Sequence, residues 1–245
     1  MPPVASQNES EDVAADSRIK PSDSISYWSD HPPTVNSMLG GYPQISRTDL
    51  RGSASFYAKL LRKHPSVASG KPVIGVDCGA GIGRITAGFL STVCDVVDFV
   101  EPVEAFALEV KKQQMEGKGL VGKGWVESLE NWAPEKGRYD LIWIQWCTLY
   151  LTDVQLVDCL KKCRNAINVP HGWIVVKENT SKSIELGGDG KDVYDEDDSS
   201  VTRTETKFLK IFDDAGLNVM AKETQRGFPK SLGLFPVRTY ALRPR

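Results

Sequence analysis

A chain of 245 residues, 40% hydrophobic and 25% charged, has enough apolar content for a deep core and the balance of an ordinary soluble protein. Its net charge of -2 speaks against a nucleic-acid partner, which calls for a basic surface, and no apolar run approaches the roughly 20 residues that cross a bilayer. Five cysteines without regular spacing predict reduced thiols in an intracellular compartment, and Cys159 and Cys163 lack the second ligand pair that structural zinc needs.

Residues 1–24 carry five acids, two bases and no aromatic residue, too little apolar surface to offset the entropy of ordering; a disordered acidic arm is predicted there. Order is expected from Ile25, with 25–245 a single domain in which 25–70 cap the ligand site and 71–245 form the core. Ser46 and Asp49 have the spacing of a capping box, and Phe56, Leu60 and Leu61 continue a helical stripe to about His64. PVIGVDCG reads as a short buried strand, and GIGRITAGFLST opens a helix. VCDVVDFVEP is a second strand and VEAFALEVKKQQ the helix after it. GLVGKGWVESLENW contains a third strand, and RYDLIWIQWCTLY is a long fourth one. Thr152 and Gln155 repeat the capping-box spacing before an apolar face of Val154, Leu156, Val157, Leu160 and Cys163. HGWIVVKEN is the fifth strand. Ser199 or Ser200 is expected to cap a helix bearing Phe208, Leu209, Ile211 and Phe212, ended by Gly216. LNVMAKETQRG and VRTYALR alternate as a closing hairpin. Repeated strand–helix alternation followed by a hairpin predicts an α/β fold: a doubly wound, mostly parallel sheet with an antiparallel edge pair.

In such a sheet the first strand-to-helix turn lines the ligand site. Here that turn holds Gly79, Gly81 and Gly83, which tolerate positive φ and let a ligand approach the main chain. From these residues alone, a tight turn with no ligand is the other account. Glu101 stands eighteen residues after Gly83, at the end of the second strand, where an acid accepts both hydroxyls of a ribose or is simply a solvated surface group. The loop reads GAGIG rather than GxGxxG, and no Lys-Ser/Thr follows as in a P-loop. A nucleoside without pyrophosphate fits better, with Arg84 pairing a small carboxylate. Ribose and carboxylate without phosphate describe S-adenosylmethionine (AdoMet).

The segments YWSDHPPTVNSMLGGY, DCGAGIGRIT, YDLIWIQW, LTD, KEN and DSSVTR together resemble the protein α-N-terminal methyltransferases, from about Tyr27 to Arg243. That family methylates the α-amine of proteins beginning X-Pro-Lys or X-Pro-Arg after initiator methionine removal. The resemblance implies a seven-stranded, Rossmann-like class I methyltransferase sheet with an N-terminal helical extension. It also implies AdoMet as cofactor, substrate proteins that include ribosomal proteins, and work in the cytoplasm or nucleus. By resemblance Gly79 and Arg84, with Gly81 in the same loop, contact the methionine part of the cofactor. Glu101, with Pro102 and Val103, holds the ribose; Leu129 and Glu130 flank the adenine; Gln145 lines the site near the sulfonium. Glu130 stands where the family has Gln.

On the acceptor side, a free α-ammonium has a pKa of about 7.7–8.0 against about 10.4 for lysine, so little help is needed to free its lone pair. DGKDVYDEDDSS carries six acids and one lysine from Asp189 to Asp198 and reads either as a solvated loop or as a receiver for a cationic peptide end. It is no EF-hand, because Lys191 occupies the third position and the sixth-position glycine is missing. The resemblance gives Asp198 the role of accepting or orienting the α-amine proton, Asp195 and Ser200 the contact with the third-position cation, and Asn179 a peptide carbonyl. Tyr150 replaces the family's histidine; a neutral phenol, pKa near 10, is a poor base, so proton removal falls to Asp198 and orientation to Tyr150. Trp28, Tyr42 and Trp146 are candidates to wall the second-position proline, with backbone room for the first residue at Leu39 and Gly40; core packing is the competing account for each. Two other functions remain open at this point: a methyltransferase for a lysine side chain or small molecule, and a binding protein that has kept the fold without catalysis.

Overall fold

The computed structural model describes residues 13–65, 70–113, 115–182, 187–188 and 190–245. Its centre is a seven-stranded sheet in the order β3-β2-β1-β4-β5-β9-β8. The strands are β1 (Ile74–Cys78), β2 (Val96–Val100), β3 (Leu120–Trp125), β4 (Leu141–Gln145), β5 (Trp173–Asn179), β8 (Leu217–Thr224) and β9 (Val237–Pro244). The first five run parallel, and β9 pairs antiparallel with both β5 and β8. This is the doubly wound sheet with a closing hairpin that the alternation of elements predicts.

The strands are apolar throughout because both faces are covered. On one face Val76, Ile142, Ile144, Ile174 and Val176 pack on Leu156 and Leu160 of α6 (Asp153–Ala166) and on Phe208 and Phe212 of α7 (Glu205–Asp214). On the other, Leu141, Trp143, Trp173 and Val175 meet Phe56 and Leu60 of α3 (Ser46–Lys63) and Phe89. Adjacent residues of one strand thus serve opposite cores, the two-residue period of extended chain. The remaining helices are α1 (Pro21–Ser29), α2 (Val35–Met38), α4 (Ser91–Val93) and α5 (Glu104–Lys112); a π-helical turn, Thr86–Leu90, leads into α4.

Several local expectations need correction. Residues 13–24, placed in a disordered arm, form a turn at Ala15–Arg18 and begin α1. They are held because Ile19 and Ser24 are buried, Asp16 accepts from the Asp153 amide, and the Lys20 amide donates to Ser199. Residues 1–12, also assigned to that arm, lie outside the described residues. Ser46 and Asp49 form no capping box: Ile45 is the N-cap, without a side-chain bond. Thr152 and Gln155 do, with both reciprocal bonds present. The cap of α7 is Thr204, not Ser199 or Ser200, since Ser200 belongs to β7 (Ser200–Thr202), paired antiparallel with β6 (Val193–Asp195). The acidic segment read as a loop is therefore largely a small hairpin. β4 stops at Gln145 because Trp146 turns left-handed, at φ +54°.

Candidate active site

The strand order reverses between β1 and β4, and at the carboxyl ends of these strands opens a cleft, the usual place for a ligand in an open α/β sheet. All of the residues expected on the cofactor side line it: Gly79, Gly81 and Arg84 after β1; Glu101, Pro102 and Val103 after β2; Leu129 and Glu130 after β3; Gln145 at the end of β4. Pro21, Ser24, Ile25 and Trp28 of α1 supply the wall opposite the sheet.

The glycines at the floor have a steric reason. Gly79 and Gly81 sit at φ +69° and +55°, and a Cβ on them would stand 2.5 Å from the Cys147 Cβ and 2.8 Å from the Met38 Sδ. Glu101 accepts from the Gly81 amide through Oε2 at 2.7 Å and from the Val103 amide through Oε1 at 2.8 Å. Burial nevertheless outweighs these two bonds and pushes its pKa up to about 7.

Behind the cleft lies a buried hub that the sequence reading missed. Gln145 and Lys177 are register partners on β4 and β5, and both meet Asp49 of α3. Asp49 takes Lys177 Nζ on Oδ1 and Arg84 on Oδ2 at 2.8 Å, while Gln145 Nε2 donates to both oxygens. The Gln145 amide is oriented unambiguously, because its Oε1 accepts from the Trp143 indole, which can only donate. Burial pushes the Asp49 carboxyl up, but Lys177 and Arg84 pull it further down, below the ordinary carboxylate range. A lysine within an apolar parallel strand was the available signal; Asp49 itself carried none, since its spacing mimics a cap.

At the acceptor margin the Tyr150 hydroxyl, facing the same cleft, donates to Asp198 Oδ2 at 2.9 Å. Burial first, and Asp198 second, push the Tyr150 phenol well up, so it stays a neutral donor. Burial likewise raises the Asp198 carboxyl, against the lowering influence of the nearby Ser200 and Tyr150 hydroxyls. Asp198 Oδ1 and Trp146 Nε1 are buried and find no hydrogen-bond partner among the described residues. Trp146 lines the cleft with its ring 5.4 Å from the Arg84 guanidinium, and Trp28 packs edge-on to Tyr150. Of the expected acceptor residues only Trp28, Trp146 and Tyr150 line the cleft; Asp198 lies behind Tyr150, outside the lining, Asn179 ends β5, exposed Asp195 and buried Ser200 are register partners in the hairpin, Leu39 is buried, and Gly40 and Tyr42 follow α2.

A second unforeseen cluster fixes the Tyr150 turn. Fully buried Arg203 donates to the Thr148 and Leu151 carbonyls and to Asp153, while Glu178 accepts from the Thr148 amide and hydroxyl. Burial pushes Glu178 up to about 7.

Comparison with known proteins agrees with this geometry. The family model described as AdoMet dependent proline di-methyltransferase matches residues 16–243. The chain is 43% identical over 226 residues to alpha N-terminal protein methyltransferase 1 of Schizosaccharomyces pombe, covering 91% of this chain and 95% of that one. It is 37% identical to N-terminal Xaa-Pro-Lys N-methyltransferase 1 of Mus musculus, covering 89% and 92%. Among solved structures, a SAM-dependent methyltransferase of Leishmania major superposes with a TM-score of 0.78 at 34% identity, covering 91% of this chain and 82% of that one. With a match over nearly its whole length and the cleft at the sheet's switch point, the chain belongs to the AdoMet-dependent proline di-methyltransferase family.

Proposed function

We propose that this protein methylates the α-amino group of proteins exposing an N-terminal Xaa-Pro-Lys or Xaa-Pro-Arg sequence, with AdoMet as methyl donor. The cleft fits that cofactor. It offers a buried carboxylate, Glu101, for a pair of hydroxyls, a guanidinium, Arg84, for a carboxylate, apolar Leu129 and Val103, and a floor of glycines at positive φ that exposes the main chain. AdoMet, when bound, supplies a methyl group on a positively charged sulfur. Glu101 would accept from the ribose, Arg84 would pair with the methionine carboxylate, and Gln145 and Leu129 would complete the walls.

The chain's own chemistry lies on the acceptor side. Tyr150 occupies one oxygen of Asp198 and leaves the other unpartnered, so Asp198 Oδ1 takes a proton from an α-ammonium while Tyr150 keeps the carboxylate oriented. Its raised pKa makes Asp198 a better base than an exposed aspartate and suits an α-amine more than a lysine side chain. Asp195 on the adjoining hairpin adds negative charge for the basic third residue, and Trp146 offers its ring to the proline and its free indole N–H to a peptide carbonyl. Asn179 and Ser200 would complete the peptide contacts, with Leu39, Gly40, Tyr42 and Trp28 around the first two residues. Ribosomal proteins bearing this N-terminus suit such a site, and five free cysteines suit the reducing cytoplasm or nucleus.

The unpartnered Asp198 oxygen beside Tyr150 carries the reading. Labelled AdoMet offered with peptides beginning Ala-Pro-Lys, Pro-Pro-Lys and acetylated Ala-Pro-Lys tests it. Label on the free α-amines and none on the acetylated peptide is expected. Label on the acetylated peptide would show a lysine acceptor, and no label on any would show a catalytically silent fold.

A further inference from the structure

Lys177 is wholly buried, as is Asp49, and its ammonium is surrounded by acceptors. Nζ reaches the Asp49 carbonyl at 3.1 Å, Asp49 Oδ1 at 2.5 Å, Ser53 Oγ at 2.9 Å and Gln225 Oε1 at 3.0 Å. Gln225 presents its oxygen to Lys177 because its Nε2 donates to the Arg226 carbonyl. An ammonium brings three N–H bonds to these four oxygens, against two for a neutral amine, and the Asp49 carboxylate is its counter-ion. One anion, Asp49, sits between two cations, Lys177 and Arg84, so these three sum to +1; the buried Asp77, which accepts from the Thr86 hydroxyl, is a further carboxyl within reach of the Arg84 charge. Arg84 is the member that reaches the cleft, its side chain 9% exposed.

We propose that Lys177 is a positioning residue that sets charge: by neutralising Asp49 it leaves Arg84 with an unspent positive charge for the ligand's carboxylate. The proposal rests on the AdoMet reading of the cleft. Without Lys177, Asp49 would cancel Arg84, and the cleft would keep the shape for an amino acid tail but lose its attraction for a carboxylate. The same cluster ties α3 to β4 and β5, so the Lys177 and Asp49 charges behind Arg84 are withdrawn from solvent and little screened.

Calorimetry with two thioethers tests this: S-adenosylhomocysteine, which has the amino acid tail, and 5′-methylthioadenosine, which lacks it. The wild type binds the first more tightly. Lys177→Met weakens S-adenosylhomocysteine by about tenfold or more, the weight of one nearby unit charge at an effective dielectric near 20. Methylthioadenosine stays within about threefold, which also shows that the variant is folded. Adding Asp49→Asn to Lys177→Met leaves Arg84 as a lone cation and returns S-adenosylhomocysteine affinity toward the wild-type value, a rescue that lost packing would not produce. If Lys177→Met does not fold, Lys177→Gln carries the same expectation. Equal losses for both ligands, or a double variant as weak as the single one, overturn the proposal. A wild type that binds neither thioether overturns the AdoMet reading instead, and the proposal with it.

Discussion

Asp49→Asn keeps the shape of the side chain and removes the one charge shared by Lys177 and Arg84. Removing one partner of a buried ion pair costs about 3–5 kcal/mol, because the remaining charge stays in a poorly solvated place. For a domain of this length each kcal/mol moves Tm by about 2–4 °C, so a fall of roughly 6–20 °C is expected at pH 7. The loss depends on pH with a definite sign. Burial already lowers the Lys177 pKa from 10.5 against the pull of Asp49, and without that pull it falls further. The folded variant then binds fewer protons than its unfolded chain between the depressed pKa and 10.5, so its stability rises with pH. Thermal unfolding by circular dichroism at pH 7, 8 and 9 should show the gap to the wild type narrowing upward. Adding Lys177→Met should recover most of the loss. A Tm within about 2 °C of wild type at pH 7, or a gap that ignores both pH and Lys177, would refute the account of a charged buried cluster.

Glu101 gives a second pH dependence. Ribose hydroxyls favour its ionised form, so affinity for S-adenosylhomocysteine should rise with pH up to about 7, where the unliganded carboxyl titrates, and then level off; Glu101→Gln should flatten the profile. In the unliganded protein the sign is opposite: the stability linked to this raised pKa is fully present below its ordinary 4.5 and lost as pH rises through about 7, which melts of wild type and Glu101→Gln compare directly. Asp198→Asn should cut the single-turnover methylation rate strongly with S-adenosylhomocysteine affinity nearly unchanged; a rate within about threefold, roughly 0.65 kcal/mol, removes Asp198 as the proton acceptor. Trp146→Ala should weaken an Ala-Pro-Lys peptide more than the cofactor, and calorimetry showing the reverse order would place the indole with the nucleoside instead.

That Gly79, Gly81 and Glu101 would line one cleft was legible because the signals are local. Gly79 and Gly81 advertise a left-handed turn by lacking a Cβ, and Glu101 follows at the end of the next apolar run. The acceptor-side candidates came from resemblance more than from spacing, and they sit on elements whose arrangement no local pattern dictates. Tyr150 and Asp198 are 48 residues apart and meet only because a hairpin folds back over the turn that Arg203 and Glu178 clamp.

Two pairs of residues show where local reading ends. Thr152–Gln155 and Ser46–Asp49 share a spacing, yet only the first closes a capping box. Periodicity, turn chemistry and apolar runs determined the order of strands and helices, since these depend on neighbours within a few residues. The tertiary structure alone decided that Asp49 would turn inward to Lys177, 128 residues away, and that residues 13–24 would find a surface to order against. Both outcomes turn on compensation of buried charge and area by distant partners, which a sequence window does not contain.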